Sequence, residues 1–279
     1  MSDSVPLPRA VTGTARWIAA ARARESARSD ALFIDPWAAD LAGTEGRARL
    51  AASERASGRE NPFLAVRTRF FDDLLTAATW AEQIVLLGAG MDTRAYRLSL
   101  HADTVVFELD DPGVFATKSA VLDAVTPRCE RREVPVDLAG QWLPALLDAG
   151  FDQTLSTVWL AEGLVFYLTE AAVGHVLRTS ARACQARALF AADIFGTGLL
   201  RLPGMQPLVD QRRRSHTPLP FCTDQPGELL SAHGWRTDSL VQVGQPEANF
   251  GRLPAVAADA DRAHDPTMRT YLATGVRNG

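Results

Sequence analysis

The stretch QIVLLGAGMDTRAYRL, residues 83–98, decides the fold of this chain of 279 residues. Its apolar run at residues 84–87 predicts a buried strand, and Gly88-Ala89-Gly90 after it predicts a tight turn. The residues beyond the turn favour a helix. Glycines allow positive φ and close approach of the backbone to a ligand, and a helix N-terminus presents unpaired N–H groups. This order predicts an α/β protein that binds a nucleotide or a nucleoside-like cofactor.

The residues after Gly90 bear on which cofactor is bound. A dinucleotide fingerprint has a third glycine three positions after the second, where this chain has Thr93. Asp92 places a carboxylate in the turn, which would repel a pyrophosphate and attract an ammonium group. S-adenosylmethionine carries an ammonium, a sulfonium and no phosphate. The turn therefore favours this cofactor over NAD, and a glycine turn without any ligand is the alternative.

A second strand is predicted over residues 104–110, and it ends in acids about 20 residues after the glycines, where a ribose diol is bound in such folds. A carboxylate accepts two hydroxyl hydrogen bonds at once, so Glu108 and Asp110 both suit a ribose. We expect the alternation of side chains along the strand to turn only one of them towards the crevice. We assign that position to Asp110 and place Glu108 on the other face.

Arg67 lies on the apolar face of a predicted helix, three and four residues before Phe70 and Phe71, and must find a partner there. Arg69 has Asp72 and Asp73 three and four residues later, which we interpret as an exposed charge cluster. An arginine on the buried side, just ahead of the cofactor strand, would suit the methionine carboxylate of S-adenosylmethionine through paired hydrogen bonds.

Two further strand ends carry acids, at the edge where open α/β sheets bind ligands. A strand predicted near residues 132–136 ends at Asp137-Leu138, and one at 155–160 precedes Glu162. Asp137 can accept a hydrogen bond from an adenine amino group while the Leu138 N–H donates to a ring nitrogen, or it can cap the next helix. Glu162 can contact the methionine ammonium, shape the acceptor pocket, or complement a helix dipole.

The remaining pattern predicts a single domain over residues 1–279, with a doubly wound sheet of seven strands. Residues 1–80 precede the glycine motif and are rich in helix formers, and residues 81–196 form the cofactor-binding core. Residues 197–235 contain an irregular, proline-rich segment that we interpret as a lid, followed by a helix. Residues 236–279 supply the last strands.

These motifs together resemble the leucine carboxyl methyltransferase family, and within it the bacterial branch of S-adenosylmethionine-dependent O-methyltransferases that includes polyketide-tailoring enzymes. The resemblance extends over most of the chain. Its carriers are Thr14-Ala15 through Asp35-Pro36, Arg67-Thr68-Arg69, LLGAGMDTRAYRL, FELDDP with Lys118, Val136-Asp137-Leu138, and Ala161-Glu162-Gly163-Leu164 with Tyr167-Leu168.

The resemblance implies a Rossmann-like class I methyltransferase fold, S-adenosylmethionine as cofactor, and a small-molecule acceptor. It assigns Arg67 to the methionine carboxylate and Asp137 with Leu138 to the adenine. It also favours a functional role for Glu162 and implies that the N-terminal segment covers cofactor and acceptor. Arg16, Arg22 and Arg24 then become candidate pocket residues, although a surface pairing such as Arg22 with Glu25 is the simpler interpretation.

Composition narrows the class of protein. The net charge is −4 and the arginine runs are short, which argues against a nucleic-acid partner. No long apolar run is present near the N-terminus, so we expect no membrane span and a cytoplasmic enzyme. The three cysteines form no Cys-x-x-Cys pair and the histidines form no cluster, so we expect no metal.

The expected reaction is an in-line transfer of a methyl group to oxygen, in which the protein supplies mainly orientation and electrostatic fit. We expect a carboxylate acceptor rather than a phenol, because a phenol with a pKa near 10 benefits from a base. No histidine follows a pocket motif, unless His216 or His233 folds in from the lid. The alternatives are an NAD(P)-dependent oxidoreductase and a non-catalytic cofactor-binding protein.

Overall fold

A twisted mixed sheet forms the centre of the computed structural model, which describes residues 8–58, 60–101, 103–253 and 269–277. Its seven described strands are β1 (Gln83–Leu87), β2 (Val105–Asp110), β3 (Glu130–Pro135), β4 (Thr157–Ala161), β5 (Ala188–Phe195), β6 (Trp235–Gln242) and β7 (Thr270–Arg277). They lie in the order β3-β2-β1-β4-β5-β7-β6. β7 runs antiparallel to β5 and β6, and the other described pairs are parallel. The chain order reverses between β1 and β4, so the crevice at that switch point is the expected ligand site.

Helices lie on both sides of this sheet. The described ones are α1 (Pro8–Ser26), α2 (Ala38–Ser57), α3 (Phe63–Ala77), α4 (Arg94–Arg97), α5 (Pro112–Leu122), α6 (Leu143–Asp148), α7 (Glu170–Arg182), α8 (Gln206–Arg214) and α9 (Pro226–Ala232). Short 3-10 helices occupy Val165–Tyr167, Thr197–Arg201, Pro203–Met205 and Pro246–Ala248. None of these helices is long and apolar enough to cross a membrane.

The side chains of β1 alternate between two buried cores, which explains why the whole strand is apolar. Ile84 and Leu86 pack in the core that includes residues of α1, α2 and α3. Val85 and Leu87 pack in the opposite core, which includes Trp142 and residues of α7. The expected doubly wound α/β fold is therefore confirmed, and the predicted strands lie within a few residues of the observed ones. The sequence predicts the last strand over residues 268–276, and its first residue, Met268, lies outside the described residues.

Two predicted segments differ from the structure. The helix expected directly after the glycine turn is only one turn long, at α4, because Leu98 adopts an extended backbone with ψ 147° that ends it. The segment expected to be irregular contains α8 and two 3-10 helices. Pro207 lies in the first turn of α8, where its missing N–H removes no helical hydrogen bond. The proline therefore marks the start of a helix in a segment that the sequence pattern predicts to be irregular.

Candidate functional site

The glycine turn after β1 is closely packed from two sides. Gly88 and Gly90 have φ values of 68° and 52°, which favour glycine. A Cβ on Gly88 would lie 3.0 Å from Cδ1 of Leu164, and one on Gly90 would lie 3.3 Å from Cβ of Ala15. The loop after β4 and helix α1 therefore both contact the turn that the sequence marks as the cofactor-binding element.

Asp110 joins the end of β2 to this turn. Its Oδ2 accepts a hydrogen bond from the Gly90 N–H at 2.6 Å, and its Oδ1 accepts one from the Asp111 N–H at 2.7 Å. Burial raises the pKa of Asp110 and outweighs the opposing effect of these two backbone hydrogen bonds. A carboxylate has about four lone-pair positions, so two remain for the hydroxyl groups of a ligand.

The placement of Glu108 on the opposite face was wrong, because residues two apart in a strand share a face. Glu108 is instead fully buried under α5, where its Oε2 pairs with Nζ of Lys118 and with Nη2 of Arg131, both at 2.6 Å. Both cations contact Oε2, and Oε1 is buried without a hydrogen-bond partner among the described residues. This pairing and burial, rather than strand alternation, separate Glu108 from Asp110 as a candidate ligand residue.

Arg67 is buried on the inner face of α3, as the helical spacing predicts. Its Nε donates to Oε1 of Glu162 and its Nη1 donates to Oδ2 of Asp193, each at 2.9 Å. Its Nη2 has no partner among the described residues, so one edge of the guanidinium remains available. Arg69 pairs with Asp73 on the outer face at 2.8 Å. Asp72 does not belong to that exposed cluster, because it is buried.

Glu162 is held between two arginines at the end of β4. Its Oε2 lies 2.6 Å from Nη2 of Arg94, opposite the contact with Arg67. Burial favours the protonated form, but the nearby positive charges of Arg94 and Arg67 outweigh it and lower the pKa of Glu162. The side chain is therefore an ionised bridge between two elements, and the interpretation of Glu162 as only a helix-start charge does not account for these contacts.

Asp193, which the sequence analysis did not single out, completes this arrangement from β5. It is 1% exposed, and its Oδ1 accepts a hydrogen bond from the Gly163 N–H at 2.6 Å while Oδ2 binds Arg67. It thus fixes both the arginine and the loop that carries Glu162. The available signal was a lone acid in the otherwise apolar strand sequence ALFAADIF, since a buried charge requires a partner.

The sequence predicts that Asp92 attracts a cofactor ammonium, but in the structure this carboxylate is already paired. Its Oδ1 accepts a hydrogen bond from the Arg94 N–H at 2.6 Å, and its Oδ2 pairs with Nη1 of Arg94. Burial alone would raise the pKa of Asp92, but Arg94 and Lys118 lower it to about 2. Arg94 and Arg97 also pair with Asp72 on α3, with contacts of 2.6 to 2.8 Å.

These groups form one connected network with an excess of negative charge. Its members are Asp72, Asp92, Glu162, Asp193, Arg67, Arg94 and Arg97. Four carboxylates against three guanidinium groups leave one uncompensated negative charge, and Asp110 adds another. A buried excess of negative charge favours a cation and disfavours phosphate groups. The network therefore fits the net positive charge of S-adenosylmethionine better than the charge of a dinucleotide.

Helix α1 is tied to the glycine turn by Arg22. The guanidinium pairs with Oδ2 of Asp35 at 2.8 Å and donates to the Met91 carbonyl at 2.5 Å. The same Asp35 oxygen accepts a hydrogen bond from the Thr93 hydroxyl at 2.7 Å, so Thr93 has a structural role where a dinucleotide site has glycine. Arg22 therefore neither pairs with Glu25 nor lies free in a pocket. Of the other two N-terminal arginines considered as pocket residues, Arg24 pairs with Glu54, and Arg16 lies beside Gly43 in α2.

Asp137 and Leu138 follow β3, the strand that neighbours β2. The Val136 N–H donates to the Asp110 carbonyl at 2.9 Å, which places this strand end beside Asp110. Asp137 is exposed, and its Oδ1 accepts a hydrogen bond from the Ala139 N–H at 2.9 Å. It does not cap α6, whose N-cap position is Trp142. The Leu138 N–H donates to no acceptor in the described part of the chain.

Comparisons with known proteins identify the family to which the chain is similar. Residues 15–181 match the family described as Leucine carboxyl methyltransferase. A protein of Mycolicibacterium smegmatis named "Putative S-adenosyl-L-methionine-dependent methyltransferase" is 37% identical over 265 residues, which cover 85% of this chain and 86% of that protein. A Frankia alni protein with the same description is 38% identical over 274 residues, which cover 88% and 92% of the two chains.

A solved structure supports the fold alone. The crystal structure of a DUF574 family protein from Streptomyces avermitilis has a TM-score of 0.61 at 17% identity, with 95% of this chain and 97% of that chain covered. Fold and sequence relatives together define an S-adenosylmethionine-dependent methyltransferase of the class I type. Within this class, the chain belongs to the leucine carboxyl methyltransferase family. The expected cofactor is thereby confirmed, and the alternatives are not favoured.

Proposed function

We propose that this methyltransferase acts on an oxygen atom of a small molecule, and that this oxygen belongs to a carboxylate. The observation that carries the proposal is the state of the acids around the crevice. Arginines lower the pKa of Glu162, and that of Asp92 falls to about 2, which makes both carboxylates weak bases. A phenol needs assistance to ionise at neutral pH, whereas a carboxylic acid is already ionised.

The positions of the described histidines support the same proposal. His216 is exposed after α8, and Nδ1 of His233 lies 2.8 Å from the Leu229 carbonyl while the ring packs on Gly174 of α7. Nε2 of His175 lies 2.9 Å from the Gly140 carbonyl, and His101 is exposed. Within the part of the chain that the structure describes, no histidine contacts the charge network. Among the described residues, that network therefore contains no histidine base for phenol methylation.

Within this proposal, the residues that bind the cofactor are those whose free groups match its chemistry. The available Nη2 edge of Arg67 binds the methionine carboxylate, and the remaining lone pairs of Glu162 accept from the ammonium group. Asp110 accepts the ribose hydroxyls. The turn of Gly88, Ala89 and Gly90 allows close approach of the ligand. Asp137 and the Leu138 N–H bind the adenine.

When bound, S-adenosylmethionine supplies a methyl group on a sulfonium that is already a good leaving group. The bound cofactor would supply this methyl group to the acceptor carboxylate, which would donate the electron pair of the new C–O bond while the pair of the broken C–S bond stayed on sulfur, so no proton would move. The chain itself orients the two reactants and excludes water, for which Leu164 and α1 are placed against the turn. We further propose that residues 1–80 act as a cover and residues 197–235 as a lid in one domain. A polyketide-type acid falls within the proposed acceptor class.

The product distinguishes the two kinds of acceptor. The full chain is incubated with methyl-labelled S-adenosylmethionine and a matched panel of carboxylic acids and phenols. Methyl esters release labelled methanol in mild alkali, whereas aryl methyl ethers do not. We expect alkali-labile label from the acids. Label only in alkali-stable products would contradict the carboxylate proposal.

A further inference from the structure

Four aromatic rings lie side by side at the carboxyl ends of β4 and β5. Phe63 begins α3, Phe195 ends β5, and Phe166 and Tyr167 lie in the 3-10 helix after β4. The ring centroids of Phe63 and Phe195 are 5.7 Å apart, those of Phe195 and Phe166 5.4 Å, and those of Phe166 and Tyr167 5.3 Å. All three contacts are edge-to-face, with interplanar angles of 63° to 86°. We call these four residues the aromatic row.

The aromatic row is continuous with the charged groups of the site. The guanidinium carbon of Arg67 lies 5.4 Å from the centroid of the Phe63 ring, within range of a cation–π contact. Glu162 lies on the same loop as Phe166 and Tyr167. The proposed ribose and adenine contacts are at the ends of β2 and β3, on the other side of β1. The ends of β4 and β5 therefore form the half of the crevice left for the methyl acceptor.

Three of the four rings lie outside the hydrophobic cores, whereas Phe63 packs against the core that includes residues of α1, α2 and α3. Phe166, Tyr167 and Phe195 belong to neither of the two hydrophobic cores, and Tyr167 is 49% exposed. Their orientation is nevertheless fixed, because the rings contact one another and the Tyr167 hydroxyl bonds to the Thr14 side chain. Fixed, partly exposed rings present a stiff apolar surface, and a flat ligand loses little conformational freedom on binding to it. Aromatic pairs also gain attraction beyond the area that they bury.

We propose that the methyl acceptor is an aromatic carboxylic acid whose ring packs against Phe166 and Phe195. This inference rests on the proposed function and adds the class of acceptor. The test compares 2-naphthoate with decahydro-2-naphthoate, which has the same carbon skeleton but is puckered. Binding of each acid to the full chain saturated with S-adenosylhomocysteine is measured by titration calorimetry. We expect about tenfold tighter binding of the flat acid, the size of two aromatic contacts.

The variants Phe195→Leu and Phe166→Leu should each reduce this preference, because they remove a ring and retain an apolar side chain. Phe70→Leu is the matched control. Phe70, on α3, is also half-buried and contacts another ring, that of Phe71. It does not belong to the aromatic row. The control should retain the full preference for the flat acid.

Three results would overturn the inference. The first is equal affinity of the two acids for the loaded wild-type chain, and the second is a preference that survives both variants. The third is loss of thermal stability in both Phe195→Leu and Phe166→Leu, which would mean that the two rings are part of the packed core and present no face to a ligand. Failure of S-adenosylhomocysteine itself to bind is a different result and would instead contradict the proposed cofactor contacts.

Discussion

At the scale of single residues, Asp110 carries the clearest prediction. Asp110→Ala should weaken binding of S-adenosylhomocysteine by about 1.5–3 kcal/mol, because the ribose loses a charged acceptor. Titration calorimetry measures the change. The glycine turn also loses its contact with Asp110 Oδ2, so circular dichroism should verify that the variant is folded.

Glu108 cannot serve as the control, because its removal would leave Lys118 buried without its partner. Asp111 is the better control, since it is the adjacent acid and caps α5 through the Gly113 N–H at 2.8 Å. Asp111→Ala should cost about 1 kcal/mol of stability and leave affinity unchanged. Wild-type affinity in Asp110→Ala would refute the ribose assignment.

Arg67 and Arg69 lie on opposite faces of one helix and provide a matched pair. Arg67→Lys keeps the positive charge beside Glu162 and Asp193 but loses the planar guanidinium with its several N–H donors. The cofactor should therefore bind about tenfold more weakly. Arg69→Ala removes an exposed pair and should leave the affinity unchanged. Equal losses in the two variants would show that the free edge of Arg67 does not bind the cofactor.

The lowered pKa of Asp92 predicts that the folded state loses stability in acid. Its folded-state pKa is lowered from 3.8 to about 2, so the ionised form stabilises the fold above the unfolded-state pKa. That contribution is lost as the pH falls from about 4 towards 2. Asp92→Asn should therefore lower the free energy of unfolding by roughly 2 kcal/mol at pH 7, and the deficit should shrink below about pH 3. Urea titrations at the two pH values measure it, and a deficit independent of pH would contradict the assigned cause.

At the scale of secondary-structure elements, α1 depends on few polar contacts with the rest of the site. Arg22→Gln should remove the ion pair with Asp35 and weaken the link to Met91. Amide exchange in α1 should then accelerate by about tenfold, the size of a charge-assisted hydrogen bond. Arg28→Gln is the control, because Arg28 lies just beyond the same helix and pairs with the exposed Asp30 at 3.0 Å, while its second pair, with Glu25, is long at 3.9 Å. Unchanged exchange in Arg22→Gln would mean that the other contacts of α1, such as the pairs of Arg24 with Glu54 and of Glu25 with Arg252, are enough to hold the helix.

Elements with a strong local signal were predictable, and those set by distant contacts were not. The largely apolar run at residues 188–195 predicts a strand with the bounds observed for β5, because this run ends at Gly196. The sequence predicts a longer helix in place of α4, because Arg94 and Arg97 are good helix formers. Their pairing with Asp72 on α3 cannot be seen in a local sequence pattern. The same limitation misplaced Asp72 among exposed acids.

At the scale of the whole molecule, the proposed acceptor predicts a flat pH profile. If a carboxylate is methylated, turnover limited by chemistry should change little between about pH 6 and 9, since both reactants keep their charge there. Steady-state rates on the best acid of the panel measure this. A tenfold rise per pH unit that disappears in His216→Ala or His233→Ala would instead establish a phenol with a histidine base.

The position of a candidate site residue was predictable where local spacing in the sequence determines it. Arg67, Gly88, Gly90 and Asp110 were chosen from helical phase, turn geometry and strand ends, and the structure brings them to one crevice. Asp193 was missed because its role arises only when β5 lies beside β4. No periodic pattern in the sequence indicates that β5 lies beside β4.

The ion pair between Arg67 and Asp193 joins residues 126 positions apart in the chain. During synthesis Arg67 emerges well before Asp193, and its guanidinium must stay hydrated until β5 joins the sheet. Contacts of such long sequence separation carry a large loop-closure entropy and tend to form late in folding. Weakening this pair should therefore accelerate unfolding while leaving the refolding rate almost unchanged. We therefore expect the site's charged centre to prolong the lifetime of the native state and to contribute little to how fast that state is reached.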